Sequence, residues 1–335
     1  MKILITGGAG FLGSNLSKRL LNDGNHVIVV DNLLTGNREN IKSLIGQENF
    51  EFHQCGIEEK TFLDLCQNLG NDFDRIYNLA CPTGVPNIEI LGEEMLMACS
   101  VGTMNVMEVA RKSNAKLLFT SSSEVYGEPK ITPQSEEYTG NVETTGFRSN
   151  YEEGKRFSET IVAHYVKKYG VHAVMVRLFN VYGPNMHLDD QRVIARFVTQ
   201  ALAGQPLTVQ GGSQSRTLCY VDDILNGFEA VITKGVPAEI YNLGSDKDLT
   251  MKEFAEKVIE FTNSESGIQI VERPAHDHSS RMPVLDKVRA LGWNNDIELN
   301  TRLKLTIEDF KIRLAERVSE PEYAVAENLQ LQPQM

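Results

Sequence analysis

Short apolar runs alternate with amphipathic stretches along most of this chain. The opening MKILITGGAGFLGSNLSKRLLNDG reads as a buried strand, a glycine turn and an amphipathic helix, and HVIVVDN follows as a second strand. FEFHQC, RIYNLAC and AKLLFTSSS add β-rich runs, separated by helical patterns such as SVGTMNVMEVARKSN. Nearly continuous apolar strands that alternate with helices predict an α/β fold, a doubly wound parallel sheet covered on both faces. NYEEGKRFSETIVAHYVKKYG predicts a long helix ending at Gly170, and HAVMVRLFNVYG another strand.

Beyond Gly183-Pro184 shorter elements alternate, and SRTLCYVDDILNGFEAVI returns to the first layer. The expected organisation is interleaved: a first domain over residues 1–180, rejoined by 215–245, a smaller C-terminal α/β lobe over 181–315, and a polar tail over 316–335. LTMKEFAEKVIEF and TIEDFKIRLAERV read as peripheral helices, whereas AVAENLQLQPQM lacks a capped pattern.

With 335 residues, 41% hydrophobic and 23% charged, the chain has room for about two domains and is no collagen, disordered tract or disulfide scaffold. Its formal charge of −12 disfavours nonspecific nucleic-acid binding, yet a small anionic ligand held by local arginines is compatible with it. No run reaches the ~20 apolar residues of a membrane span, and the N-terminus lacks signal-peptide order, so no membrane association and a cytoplasmic setting are expected. Cys55, Cys66, Cys81, Cys99 and Cys219 are scattered without CxxC spacing. They are expected to be reduced, mostly buried and inert, with no metal site.

Gly7, Gly10 and Gly13 lie between a predicted strand and helix. One turns the chain, one admits a pyrophosphate close to backbone N–H groups, and one lets helix pack on strand. Asp31 ends the second strand 24 residues beyond Gly7, placed to accept from a ribose 2′-hydroxyl. Together these predict a dinucleotide-binding Rossmann fold. An acid at Asp31 repels a 2′-phosphate and no arginine follows in DNLLTG, so NAD is expected over NADP.

Tyr151 and Lys155 are four residues apart on the predicted helix and share a face. An ammonium beside a phenol favours phenolate, which lowers its pKa from about 10 toward use as a base. TSSSEVYG ends a predicted parallel strand, where ligand-facing residues belong. Ser122 can then bond the reacting oxygen, and Glu124 can handle a proton or a polar sugar group.

In order, TGGAGFLG, DNLLTG, TSSSEVYG, YEEGK, RLFNVYGP and SRTLCYVDD resemble the extended short-chain dehydrogenase/reductase superfamily acting on nucleotide sugars. The likeness spans roughly residues 1 to 300. Through NLACP, RSNYEEGKR, YGPNMHLDDQRVI and Arg281-Met282-Pro283 it is similar to the UDP-glucuronate decarboxylases within that superfamily. The resemblance implies Tyr151 as base on the sugar 4-hydroxyl, Lys155 as its tuner and ribose ligand, and Ser122 as the oxygen's partner. Glu124 and Arg281 then sit at the reacting carbon and carboxylate. Arg192 and Arg216 match arginines that hold the nucleotide sugar, with Ser123, Asn180 and Tyr220 nearby. The implied cofactor contacts include Phe11, Leu12, Asn32, Ile57 and Leu79. Ser123 stands where the related dehydratases carry an aspartate acid.

The implied reaction is internal redox: C4 oxidation by NAD⁺, loss of CO₂ and re-reduction of a UDP-sugar, UDP-glucuronate first among candidates. The alternatives are a C4-epimerase or dehydratase-like enzyme of the same superfamily, or a non-catalytic NAD-binding regulator. The superfamily also implies a homodimer formed through a helical bundle. Departures from the decarboxylase pattern fall on the sugar side: Gly84, Ile88 and Leu91-Gly92 replace a serine, a tyrosine and an Asn-Pro pair. Asn185 replaces an arginine, Gly56 an aspartate, and Val284 an acid.

Overall fold

A computed structural model describes residues 1–211, 214–272, 281–296 and 298–319. The chain runs through β1 (Lys2–Thr6), α1 (Phe11–Asn22), β2 (His26–Asp31), β3 (Phe50–Gln54), α2 (Lys60–Asn68) and β4 (Arg75–Asn78). Two short helices, α3 (Val85–Ile90) and α4 (Gly92–Met97), lead through a π-helical turn at Ala98–Gly102 into α5 (Thr103–Ser113). Then come β5 (Lys116–Ser122), the long α6 (Ser149–Tyr169) and β6 (Ala173–Leu178). The remainder is β7 (Val181–Tyr182), α7 (Val193–Leu202), β8 (Leu207–Gln210), β9 (Ser215–Thr217), β10 (Cys219–Tyr220), α8 (Val221–Lys234), β11 (Ile240–Leu243), β12 (Asp248–Thr250), α9 (Met251–Thr262), β13 (Ile268–Val271), α10 (Asp286–Arg289) and α11 (Leu299–Ser319).

Among the described residues seven strands pair in parallel in the order β11-β6-β5-β4-β1-β2-β3. The order reverses between β1 and β4, so the loops leaving those two strands diverge and open a crevice at their carboxyl ends. Alternation explains why the strands read as unbroken apolar runs. Ile3, Ile5, Val27 and Val29 pack with Leu16, Leu20 and Phe228 on one face, and Leu4, Ile28 and Val30 with Phe62, Val106 and Val162 on the other. Both faces are therefore core.

The long helix ends at Gly170, which takes φ +69° as a left-handed cap. Helix α8 packs on β5 and β6, and β11 adds to the sheet beside β6. The return to the central layer begins at Val221 and not at residue 215, because β9 pairs antiparallel with β12 outside the sheet. In the smaller lobe α7, α9 and α11 pack together, with the Phe197 and Phe254 rings stacked at 6.0 Å, and β8 pairs with β13. Helix α11 continues through Ser319, so residues 316–319 belong to it and not to a tail. Residues 320–335, the rest of the expected tail, lie outside the described residues.

Candidate active site

The crevice at the β1–β4 reversal widens into a cavity of about 1610 Å³ that runs from the glycine loop to α11. A single small ligand takes roughly 300–1,000 Å³. This cavity therefore has room for a dinucleotide and a second extended molecule.

The glycine loop forms the floor of one end. Gly7 has φ +72°, and a Cβ there would lie 2.8 Å from the Ala80 Cα; one at Gly13 would lie 2.2 Å from the Gly7 carbonyl oxygen. Only glycine permits this turn, which leaves the first N–H groups of α1 facing the cavity with no acidic residue in the first helical turn. Asp31 accepts from Ala9 N at 3.0 Å and Leu33 N at 2.8 Å, so the acid expected on a ribose also pins the loop. Burial pushes its carboxyl up while those backbone bonds pull it down. Gly10, Phe11, Leu12, Asn32, Ile57 and Leu79 all line the same end. Backbone donors, an unopposed helix N-terminus and a buried carboxylate suit a dinucleotide's pyrophosphate and ribose.

Tyr151 and Lys155 project from α6 into the middle of the cavity. The Lys155 Nζ donates to the Thr120 carbonyl at 3.0 Å and lies 6.0 Å from the Tyr151 ring centroid. Ser122 accepts from Glu124 N at 3.2 Å as cap of the turn Ser123–Tyr126, and its hydroxyl bears on the Tyr151 phenol. The expected lowering of the phenol is not what this geometry produces. Burial pushes Tyr151 up to about 12, and the Lys155 ammonium offsets only part of that.

Glu124 is gripped from two sides: Arg148 donates through Nη2 at 2.6 Å and Nε at 3.1 Å, and Arg281 through Nη1. Arg281 also donates to the Gly127 carbonyl at 3.0 Å, so it arrives at the site already steered by protein groups, and its buried Nε has no partner among the described residues. Arg148 was not singled out from the sequence. Its position three residues before Tyr151 in RSNYEEGK was the available signal.

At the far end Arg192, Arg216, Asn180 and Ser123 line the cavity. Arg192 caps the start of α7 and pairs with Asp190 at 2.5 Å, Arg216 donates to the Ser215 carbonyl at 2.9 Å, and Asn180 donates to the Thr217 carbonyl at 3.3 Å. Tyr220 is not brought here. It is buried beside Tyr182, ring centroids 5.4 Å apart, with the Arg302 guanidinium 4.9 Å above it, because β10 pairs in parallel with β7 and sets Tyr220 opposite Tyr182.

Gly84, Ile88, Asn185 and Gly56 line the cavity, whereas Leu91, Gly92 and Val284 do not. The Ile88 carbonyl accepts from Asn150 Nδ2 at 2.6 Å, which ties the altered wall to the residue before Tyr151. Asn185, at φ +67°, donates to Ser14 Oγ at 3.1 Å. Val284 pairs its backbone N–H with the Gln134 carbonyl at 2.8 Å. The cysteines are mostly buried, as expected. Cys66, Cys99 and Cys219 are buried, but Cys55 and Cys81 line the cavity.

Residues 3–244 match the NAD dependent epimerase/dehydratase family. The chain belongs to that family. Among curated relatives it is 40% identical over 317 residues to UDP-glucuronic acid decarboxylase 3 of Arabidopsis thaliana, covering 94% of this chain and 90% of that one. Among solved structures it resembles UDP-glucose 4-epimerase of Thermotoga maritima with UDP-glucose, at TM-score 0.85 and 28% identity over 94% of this chain and 100% of that one. It also resembles UDP-glucuronic acid 4-epimerase of Bacillus cereus in complex with UDP-glucuronic acid and NAD, at TM-score 0.83 and 25% identity over 93% and 100%. As an epimerase/dehydratase family member the chain uses NAD, and the glycine cradle with Asp31 fits that cofactor.

Proposed function

We propose that this chain is a UDP-glucuronate decarboxylase that oxidises the sugar at C4, releases CO₂ and restores the C4 alcohol. The observation that carries this reading is Arg281, which lines the cavity beside Glu124 and Tyr151 and offers a guanidinium where a carboxylated sugar would lie, while Arg148 is balanced by Glu124 and Glu152. The identity to a named decarboxylase over 94% of the chain supports it.

Bound NAD, held by the Gly7–Gly13 turn, Asp31 and Lys155, supplies a hydride acceptor for C4 and returns the hydride at the end. Tyr151 takes the 4-hydroxyl proton as phenolate, the form that the Lys155 ammonium favours and burial opposes, and Ser122 donates a hydrogen bond to the same oxygen. Lys155 holds a positive charge beside the phenol. A C4 carbonyl is β to the C6 carboxylate, so the electrons of the C5–C6 bond pass toward the C4 oxygen as CO₂ leaves. Ser122 and the Tyr151 hydroxyl stabilise charge on that oxygen until C5 is protonated. Arg281, steered by Glu124, faces the carboxylate, and Arg192 and Arg216 take the diphosphate. Ser123 offers no carboxylic acid for expelling a C6 hydroxyl, which counts against dehydration.

C4 epimerisation of the same acid is the second reading, favoured by the likeness to the Bacillus cereus epimerase. Mass spectrometry after incubation with UDP-glucuronate, UDP-glucose and dTDP-glucose separates them. A UDP-pentose with CO₂ is the expected result. Retention of all six carbons moves the assignment to epimerase, and no turnover of any sugar leaves a non-catalytic regulator.

A homodimer and a cytoplasmic setting complete the proposal. Leu96, Met97, Met104 and Phe157 are exposed on neighbouring helices and would be covered by a second copy. Five free cysteines suit a reducing compartment.

A further inference from the structure

Cys81 follows β4 and Cys99 lies in the π-helical turn before α5, yet their Sγ atoms are 3.7 Å apart. Cys81 lines the cavity, and Cys99 is 2% exposed behind it. Cys99 fills the gap left by Gly154 of α6, where a Cβ would stand 3.3 Å from the Cys99 sulfur. The two thiols thus meet next to Lys155.

Their chemistry differs from that of isolated buried thiols. The contact with Cys81, with the Lys155 ammonium and Ser158 hydroxyl behind it, favours the Cys99 thiolate against the cost of burial. Cys81 is pushed up as the donor in the same contact. Of the two, Cys99 is favoured as thiolate, and Cys81, which lines the cavity, holds the proton across the 3.7 Å contact.

We propose that Cys81 and Cys99 are a peroxide-reactive thiol pair that closes to a disulfide at the floor of the active site. Hydrogen peroxide or a small alkyl hydroperoxide enters by the cavity. Cys81 passes its proton to Cys99 across the contact and its sulfur attacks one peroxide oxygen; an S–O bond forms, the O–O bond breaks, and the departing hydroxide or alkoxide takes a proton from solvent. Cys99 sulfur then attacks the Cys81 sulfenic sulfur, expelling hydroxide, which takes the remaining thiol proton and leaves as water. With hydrogen peroxide, two thiols lose two electrons and the oxidant becomes two waters.

A disulfide needs its sulfurs about 2.05 Å apart, so closure brings the two sulfurs together from 3.7 Å. The bond would join residues 81 and 99 across the wall that carries Ile88, and it would remove the thiolate that faces Lys155. The consequence for turnover rests on the catalytic reading of Lys155 above; the reactivity of the pair does not.

Treatment of the full-length protein with equimolar hydrogen peroxide, alkylation under denaturing conditions and peptide mapping test the site. A Cys81–Cys99 link, a loss of two titratable thiols and full reversal by dithiothreitol are expected, with Cys81→Ser and Cys99→Ser each abolishing the link. Turnover of the oxidised protein should fall at least tenfold and recover on reduction. The site is disproved if both cysteines remain alkylatable while other thiols oxidise, or if Cys81 proceeds to sulfinic acid without a link. A link with unchanged turnover disproves the control of activity. Absence of turnover in the untreated protein counts against the decarboxylase reading, while the mapping result still decides the site.

Discussion

Glu159 stands one helical turn beyond Lys155 on α6, and Arg177 of β6 grips its carboxylate with Nε at 2.9 Å and Nη2 at 2.8 Å. Ser121, next to Ser122 on β5, donates to the same carboxylate at 2.6 Å. One buried carboxylate therefore ties the helix of Tyr151 and Lys155 to the strand that presents Ser122. The spacing between base and partner hydroxyl is set from beneath the site.

Removing one member of this pair leaves the other charge buried. Arg177→Met should lower unfolding free energy by about 3–5 kcal/mol, and adding Glu159→Leu should recover most of it. Urea midpoints of the single and double variants check this. A single variant as stable as the parent would mean that Glu159 is not carrying a charge there.

Tyr151→Phe keeps the ring but removes the proton acceptor. Turnover and NADH formation should fall by about 10²–10⁴-fold, while NAD affinity, read by titration calorimetry, changes little. Turnover within a few-fold of the parent would show that the base lies elsewhere.

Gly13→Ala places a methyl group 2.2 Å from the Gly7 carbonyl oxygen. The glycine turn must open, so NAD affinity should weaken at least about tenfold. Unchanged binding in calorimetry would remove the loop from the cofactor site.

Tyr77, Tyr151 and Tyr220 are pushed by burial up to about 12. An unfolded phenol titrates near about 10. Between those values the unfolded chain has lost protons that the folded one keeps, so stability is fully present below pH ~10 and falls as pH rises toward ~12. Denaturation midpoints should drop across this window, and Tyr151→Phe should make the drop shallower. An identical slope in the variant would show that Tyr151 titrates normally.

Met104 and Phe157 should lie in the homodimer contact. Met104→Glu with Phe157→Glu buries like charges at such an interface, and light scattering should then report a monomer. A dimer that persists at the same concentration places the contact on another face.

Legibility in the sequence followed the range of the interaction involved. The strand–glycine–helix opening and the Tyr151–Lys155 pair were readable because a turn and an i, i+4 spacing depend only on neighbours in the chain. Tyr220 was misplaced because one strand residue shows no direction: pairing of β10 with β7 set it against Tyr182. Arg148 was passed over because its partner Glu124 is 24 residues away. The lysine's effect on Tyr151 was read correctly in sign, but the burial that outweighs it is a property of the surrounding walls.

The opening pattern by itself determined a parallel sheet covered on both faces, a glycine turn suited to a dinucleotide, and a tyrosine and lysine sharing one side of a helix. Periodicity and glycine's lack of a side chain are local, and they survive in one dimension. Tertiary structure alone decided that Glu159 anchors that helix through Arg177, that Glu124 is held between two arginines, and that Cys81 meets Cys99 beside Lys155. Each of those contacts joins residues 18 or more positions apart, and only packing of the sheet against its helices brings such groups within bonding distance.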